Sequence, residues 1–178
     1  MLRGDVIQLR PVREADLDAL FTFLTDICNR GDYFPISIRS ESWLRKQFQD
    51  TGFWSDDRGL LLIENSAAAI IGHIEFFKPV AYLDGLELSY VIYELAERRK
   101  GATSEAVRLL TKYLFDTKKA NRLQLIIHPE NTASRRVAEK NGFAHEGTMR
   151  GAWYHRGQYH DVEVYALLRR EFEALPRR

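Results

Sequence analysis

The chain has one cysteine in 178 residues, Cys28. No internal disulfide framework is open to it, and the composition suits a reducing compartment. It has no excess of one charge: 26 Lys and Arg stand against 25 Asp and Glu, a formal net charge of +1. That gives no global field for nucleic acid or for an anionic membrane surface. It has no apolar run of the ~18 residues that span a bilayer, and Met1-Leu2-Arg3-Gly4-Asp5 lacks the apolar region of a secretory leader. A soluble cytoplasmic protein is expected. Internal repeats and low-complexity tracts are absent. So are the Gly-x-x-x-x-Gly-Lys-Ser/Thr loop and the Gly-x-Gly-x-x-Gly fingerprint, two common phosphate cradles. No third ligand stands at metal-site spacing beside His73 and Glu75, so no metal is expected.

What is present is an ordinary globular composition, 45% hydrophobic and 12% aromatic. The length fits one domain, residues 1–178, with a substantial core. Val6 to Arg10 reads as a short strand closed by Pro11. Leu17, Leu20, Phe21, Leu24 and Ile27 predict a helix from Arg13 to Cys28, ended by Asn29-Arg30-Gly31-Asp32. Ser40 caps a second helix. Gly59 to Glu64 and Ala69 to Phe77 read as strands around Asn65-Ser66. His73 and Glu75 share a face of the second strand, and a solvent-facing pair is expected there. Arg122 to Ile127 is a strand, followed by a helix from Asn131 to Asn141-Gly142. Phe143 to Trp153 and Tyr159 to Leu168 are two more, joined by a hairpin turn at His155-Arg156-Gly157-Gln158. His145, His155 and His160 are expected on the surface, and the segment from Arg170 onward as a polar tail.

The organising stretch is Arg98-Arg99-Lys100-Gly101-Ala102-Thr103-Ser104. Before it, Leu86 to Tyr93 alternates, with Leu86, Leu88, Tyr90 and Ile92 on one side and Glu87, Ser89 and Val91 on the other. After it, Ala106, Leu109, Leu110, Tyr113 and Leu114 recur at helical spacing. The basic stretch is therefore a strand-to-helix turn. Helix N-termini present unpaired N–H groups and partial positive charge, so such a turn suits phosphate. A solvated basic loop is the plain alternative. On residues alone Asn131 is a helix cap, Ser134 a surface residue of the first turn, and the aromatics Tyr33, Phe34, Trp43, Phe53 and Trp54 cover the core edge.

Two stretches together carry a resemblance. Arg98-x-x-Gly101-x-Thr103 resembles the pyrophosphate loop of the GNAT N-acetyltransferase superfamily, with Thr103 where Gly or Ala is usual. Asn131, Ser134, Lys140, Gly142 and Phe143 resemble its Asn-x-x-Ser helix ending in Lys-x-Gly-Phe. Glu146-Gly147-x-x-Arg150, Asp161-x-x-x-Tyr165-x-Leu167 and Leu9-Arg10-Pro11 followed by Asp16 are similar to the RimJ/RimL branch, which acetylates protein N-termini.

The resemblance implies a mixed α/β (α+β) GNAT acyl-CoA N-acyltransferase fold. Its central sheet is mostly antiparallel, with a splayed strand pair and helices on both faces. It implies direct acetyl transfer from acetyl-CoA, without a metal and without a covalent enzyme nucleophile; Cys28 is a poor candidate for one. Tyr90, Val91 and Ile92 would hold the pantetheine arm through the backbone, and a free N–H there would face the oxyanion. Residues Arg98, Arg99, Lys100, Gly101, Ala102, Thr103 and Ser104 would hold the diphosphate, with Lys140 and Asn131 also on the cofactor side. Ser134 would protonate the thiolate and Asn131 would orient it. Glu87 would stand near the amine, as base through water or as a binding group. Tyr33 and Trp54 would line the acceptor side. The acceptor stays open between a protein N-terminus and a small amine such as a polyamine, amino acid or antibiotic. A non-catalytic acyl-CoA-binding module is the remaining alternative, and monomer and homodimer are both compatible with the sequence.

Overall fold

In a computed structural model that describes residues 1–27 and 31–176, eight strands form one sheet. The strands are β1 (Leu2–Arg3), β2 (Ile7–Pro11), β3 (Arg58–Asn65), β4 (Ile70–Phe77), β5 (Gly85–Ile92), β6 (Arg122–Ile127), β7 (Ala144–His155) and β8 (Gln158–Leu168). The helices are α1 (Leu17–Thr25), α2 (Glu41–Thr51), α3 (Ala102–Thr117), α4 (Thr132–Lys140) and α5 (Arg169–Ala174). The strand order is β1-β2-β3-β4-β5-β6-β8-β7. Neighbours are antiparallel except β5 and β6, which run parallel.

That parallel pair is the feature that positions the site. β5 and β6 pair only at Gly85–Arg122, Leu86–Leu123 and Glu87–Gln124, then part. On its other edge β5 stays paired with β4 as far as Ile92 opposite Gly72. The sheet is thus split from one end, between Leu88–Ile92 and Leu125–Ile127.

Strand alternation builds two cores. Leu9, Ile63, Ile74, Phe76, Leu88 and Leu125 face α3, where Ala106, Val107, Leu110 and Leu114 are fully buried. Leu62, Val91 and Tyr93 face α1 and α2 through Leu17, Leu20 and Leu44. Burying each such leucine contributes on the order of 1.5–3 kcal/mol. The N-terminal strand is tied to α3 by Glu105, whose carboxylate accepts N–H bonds from Asp5 and Val6 at 2.8 Å and Ile7 at 3.0 Å. Burial works against ionisation of Glu105, but those three amides and Arg108 outweigh it and hold its carboxyl below the usual range.

Several expectations are corrected. The first helix is shorter: Glu14–Asp16 is a 3-10 turn, and α1 ends at Thr25. Asp16 is bound by the buried Arg10 at 2.6 Å and accepts the Arg13 N–H at 2.7 Å, which holds the turn tight. Cys28, Asn29 and Arg30 lie outside the described residues. The tail is not simply polar. It lies largely in α5, whose Phe172 stacks on Phe115 at 4.9 Å, and Arg169, just before the tail, donates to the Phe115 carbonyl at 2.6 Å and the Lys118 carbonyl at 2.9 Å. Those carbonyls end α3 and lack helical partners. His73 is 2% exposed rather than solvent-facing. Its Nδ1 lies 2.7 Å from the Tyr93 hydroxyl, under the edge of Phe34. His155 is likewise buried. The expected hairpin turn is present, with positive φ at Arg156 and Gly157, as a tight two-residue β-turn requires.

Candidate active site at the split in the sheet

The open edge of β5 is set by strand alternation. The Tyr93 N–H bonds the Ile71 carbonyl at 2.9 Å, so Val91 and Ser89 also address β4. The N–H and C=O groups of Leu88, Tyr90 and Ile92 point the other way, toward the gap that β6 has left. The Ile92 carbonyl is taken by the Arg98 guanidinium, with Nε at 3.2 Å and Nη2 at 3.0 Å. The Tyr90 and Ile92 N–H groups have no strand partner among the described residues. An extended amide-bearing ligand could pair with this edge as an added strand.

The turn after β5 doubles back through two left-handed residues, Arg99 at φ 63° and Gly101 at φ 87°. Gly101 is the N-cap of α3 and gives it no side-chain cap. The first-turn amides of Ala102, Thr103 and Ser104 are thus presented as an anion would need them. A side chain at Gly101 would meet nothing within 4 Å, so its φ, rather than crowding inside the protein, selects glycine. Arg99 is exposed, and Lys100 is paired with Glu97 at 3.0 Å. Asn141 donates to the Ser104 Oγ at 3.2 Å. This brings the C-terminus of α4, and with it the exposed Lys140, to the start of α3.

The N-terminus of α4 lies across the gap from β5. Asn131 caps it by accepting the Ser134 N–H at 3.1 Å. The Ser134 Oγ is 2.6 Å from the Tyr90 hydroxyl. Burial pushes the Tyr90 phenol up to about 12, against the opposing effect of the Ser134 hydrogen bond. The phenol therefore keeps its proton near neutral pH, and the pair holds two hydroxyl protons with one shared between the oxygens. So Tyr90, Ser134 and Asn131 meet as a unit.

Glu87 does not join them. It lies on the opposite face and three residues back along β5, about 10 Å. Its carboxyl is pushed up by burial first; the Gln124 hydrogen bond at 2.9 Å opposes this, and the nearby Glu75 adds to it. Tyr33 also stands on that face, stacked on His128 at 4.9 Å between ring centres.

Trp54 is placed elsewhere than expected. Gly59 has no side chain, and a Cβ there would lie 2.7 Å from the Trp54 ring. The indole folds over this glycine onto Phe76 at 5.3 Å and Tyr113 of α3 at 6.0 Å. It is a half-buried residue packed against the core under the C-terminal half of α3, on the other side of the sheet from Tyr33.

Of the histidines on the Tyr33 side, His155 and His160 were expected only as surface residues and His128 was given no role. His128, His155 and His160 line a cleft of about 240 Å³ together with Tyr33. The available signal was phase: Gln124, Ile126 and His128 share a face of β6, three residues before Asn131.

Comparison with known proteins agrees with this geometry. Residues 7–144 match the family described as acetyltransferase (GNAT) domain. The chain is 28% identical over 179 residues to the probable N-acetyltransferase YjcK of Bacillus subtilis, covering 94% of this chain and 97% of that one. Among solved structures, it resembles RimL, a ribosomal L7/L12 α-N-protein acetyltransferase in complex with coenzyme A. There the TM-score is 0.78 at 23% identity, over 93% of this chain and 95% of that one. It also resembles the spermidine N-acetyltransferase of Vibrio cholerae in complex with CoA and spermine, with TM-score 0.81 at 18% identity, over 94% and 98%.

Proposed function

The chain belongs to the GNAT acetyltransferase family and is an N-acetyltransferase; on that premise we propose that it moves the acetyl group of acetyl-CoA directly to the α-amine of a protein N-terminus. The observation that carries this reading is the unpaired edge of β5 beside the Tyr90–Ser134 hydrogen bond. One ligand can lie along that edge while a second approaches from the opposite face.

Each residue then has a task. The backbone of Tyr90 and Ile92 binds the amides of the pantetheine arm. The first-turn amides of Ala102, Thr103 and Ser104, with Arg99, Lys100 and Lys140 nearby, hold the phosphates. The Arg98 side chain is already committed to Ile92 and braces the strand end. An N–H of the open edge stabilises the oxyanion. Ser134, backed by the Tyr90 hydroxyl, donates a proton to the departing thiolate. Glu87 gives the acceptor face negative charge and draws an ammonium, beside Glu75, which is itself paired with Arg58 at 3.2 Å. A thioester is already activated, so holding the two reactants together supplies much of the rate.

Support for a protein acceptor comes from the RimJ/RimL-like motifs and from the open cleft at Tyr33. A polyamine is the second reading. The Glu75–Glu87 carboxylates favour it, as does the likeness to the spermidine enzyme.

An acceptor panel tests both. Release of free CoA thiol from acetyl-CoA is followed with a peptide bearing a free N-terminal serine, the same peptide N-acetylated but with a lysine, spermidine, and free amino acids. The free-N-terminal peptide is expected to give the highest kcat/KM. Preference for spermidine would move the acceptor to the second reading. Tight CoA binding with no thiol release from any amine would mean a binding module.

A further inference from the structure

Three of the five histidines meet on the acceptor face, and their hydrogen bonds have a direction. The amide N–H of Glu130 donates to His128 Nδ1 at 3.2 Å. An amide can only donate, so neutral His128 carries its proton on Nε2. That atom lies 3.3 Å from His160 Nδ1, which must accept. His160 then carries its own proton on Nε2, 3.2 Å from the His155 carbonyl. One arrangement satisfies all three contacts.

The pair is also well placed. The His128 carbonyl accepts the Asn131 N–H at 2.9 Å, and Asn131 in turn caps Ser134. The His128 backbone is thus joined to Ser134 by two hydrogen bonds through Asn131, and its ring lies on the face from which an amine would approach. Other charged groups face the pair. Asp32 and Glu130 bring carboxylates to the cleft; Arg156 enters from the β7–β8 turn, 3.9 Å from Asp32. His155 is held by the Asp32 carbonyl at 2.9 Å. Tyr33 and Trp153 supply aromatic walls.

We propose that the His128–His160 pair takes the proton from the acceptor ammonium. The inference rests on the acetyl-transfer reading above. The ammonium gives H⁺ to the lone pair of His128 Nδ1, at the expense of the Glu130 contact, and becomes the neutral nucleophile. The Nε2 proton can shift to His160, which spreads one positive charge over two rings near two carboxylates. As the C–N bond forms and the C–S bond breaks, Ser134 gives its proton to the thiolate and the second proton of the nitrogen replaces it on the Ser134 oxygen. The pair then returns its proton to water through the open cleft, and no other reactant is needed.

Two experiments test this. Long-range proton–nitrogen spectra of the labelled protein read the imidazoles without any substrate. His128 and His160 should both be Nε2–H tautomers when neutral and should take up one proton between them as pH falls. In His160→Asn, His128 should titrate alone. Two rings that protonate independently in the wild type would overturn the proposal. The second experiment follows kcat/KM against pH with saturating acetyl-CoA, using the free-N-terminal serine peptide and spermidine as probes. His128→Gln should lower kcat/KM by about 10²-fold and abolish the acidic limb of the profile, with partial rescue by added imidazole. His160→Asn should shift the limb and rescue likewise. Glu87→Gln should raise the acceptor KM and keep the limb. A limb that survives His128→Gln, or vanishes in Glu87→Gln instead, contradicts the assignment. Wild-type protein that releases no thiol with either probe would count against acetyl transfer itself, while the spectra would still decide proton sharing.

Discussion

The two walls of the split are built differently. On the proposed reading the cofactor wall is local: Tyr90, Ile92 and residues 98–104 follow one another through one strand, one turn and one helix start, and they would act mainly through backbone groups. The acceptor wall is gathered from distant places. Tyr33 comes from the α1–α2 link, Glu87 from β5, His128 from the end of β6, and Trp153 and His160 from the β7–β8 hairpin, and these would act through side chains. A ligand that never changes can be read by amides at fixed spacing. A ligand that varies between relatives is better read by side chains that can change without disturbing the fold.

The sharpest way to break this division is Trp54→Ala. If Trp54 packs against the core, its loss should lower stability by about 3 kcal/mol in urea unfolding, with acceptor KM unchanged in the folded enzyme. A several-fold rise in KM at unchanged stability would return Trp54 to the acceptor wall. Next in size is Ser134→Ala, expected to lower kcat by ~10–100-fold, or ~1.4–2.7 kcal/mol, while CoA affinity and melting temperature hold. The neighbouring Tyr90 hydroxyl argues for the lower end, and adding Tyr90→Phe should cost less than its effect alone, because the two share one hydrogen bond. Full kcat in Ser134→Ala under chemistry-limited conditions would remove the serine from the reaction.

A smaller effect separates backbone from side chain within the cofactor wall. Gly101→Val should weaken CoA by about tenfold, roughly 1.4 kcal/mol, because valine resists φ 87°. Arg99→Ala should weaken it less. Calorimetric titration of both variants decides, and equal or reversed losses would mean that charge, not amide geometry, holds the phosphates. The smallest expected effect is on the acceptor side: Tyr33→Ala should raise acceptor KM about threefold to fivefold, less than ~1 kcal/mol, and leave CoA affinity alone. A drop in CoA affinity with steady KM would reverse the two walls.

The same division explains what was legible in the sequence. β5, the turn, β6 and the Asn131-capped α4 could be read nearly to the residue, and α3 could be read as a helix without its bounds, because each is signalled by period, cap or glycine within its own stretch. The split itself was an implication of resemblance, since strand phase cannot show where two strands part. His73, His155 and Trp54 were misplaced for one reason. Their surroundings are set by contacts across the fold, from Tyr93, Asp32 and Phe76 in turn. Arg169 was missed because its partners, the Phe115 and Lys118 carbonyls, lie some fifty residues upstream.

The central claim is that the split holds both reactants at once and that acetyl passes between them without resting on the protein. Initial rates measured while acetyl-CoA and the best acceptor are varied together test it most directly. Direct transfer predicts double-reciprocal lines that intersect, and no label retained on the protein after incubation with radiolabelled acetyl-CoA alone. Parallel lines with stoichiometric acetyl-protein would contradict the account.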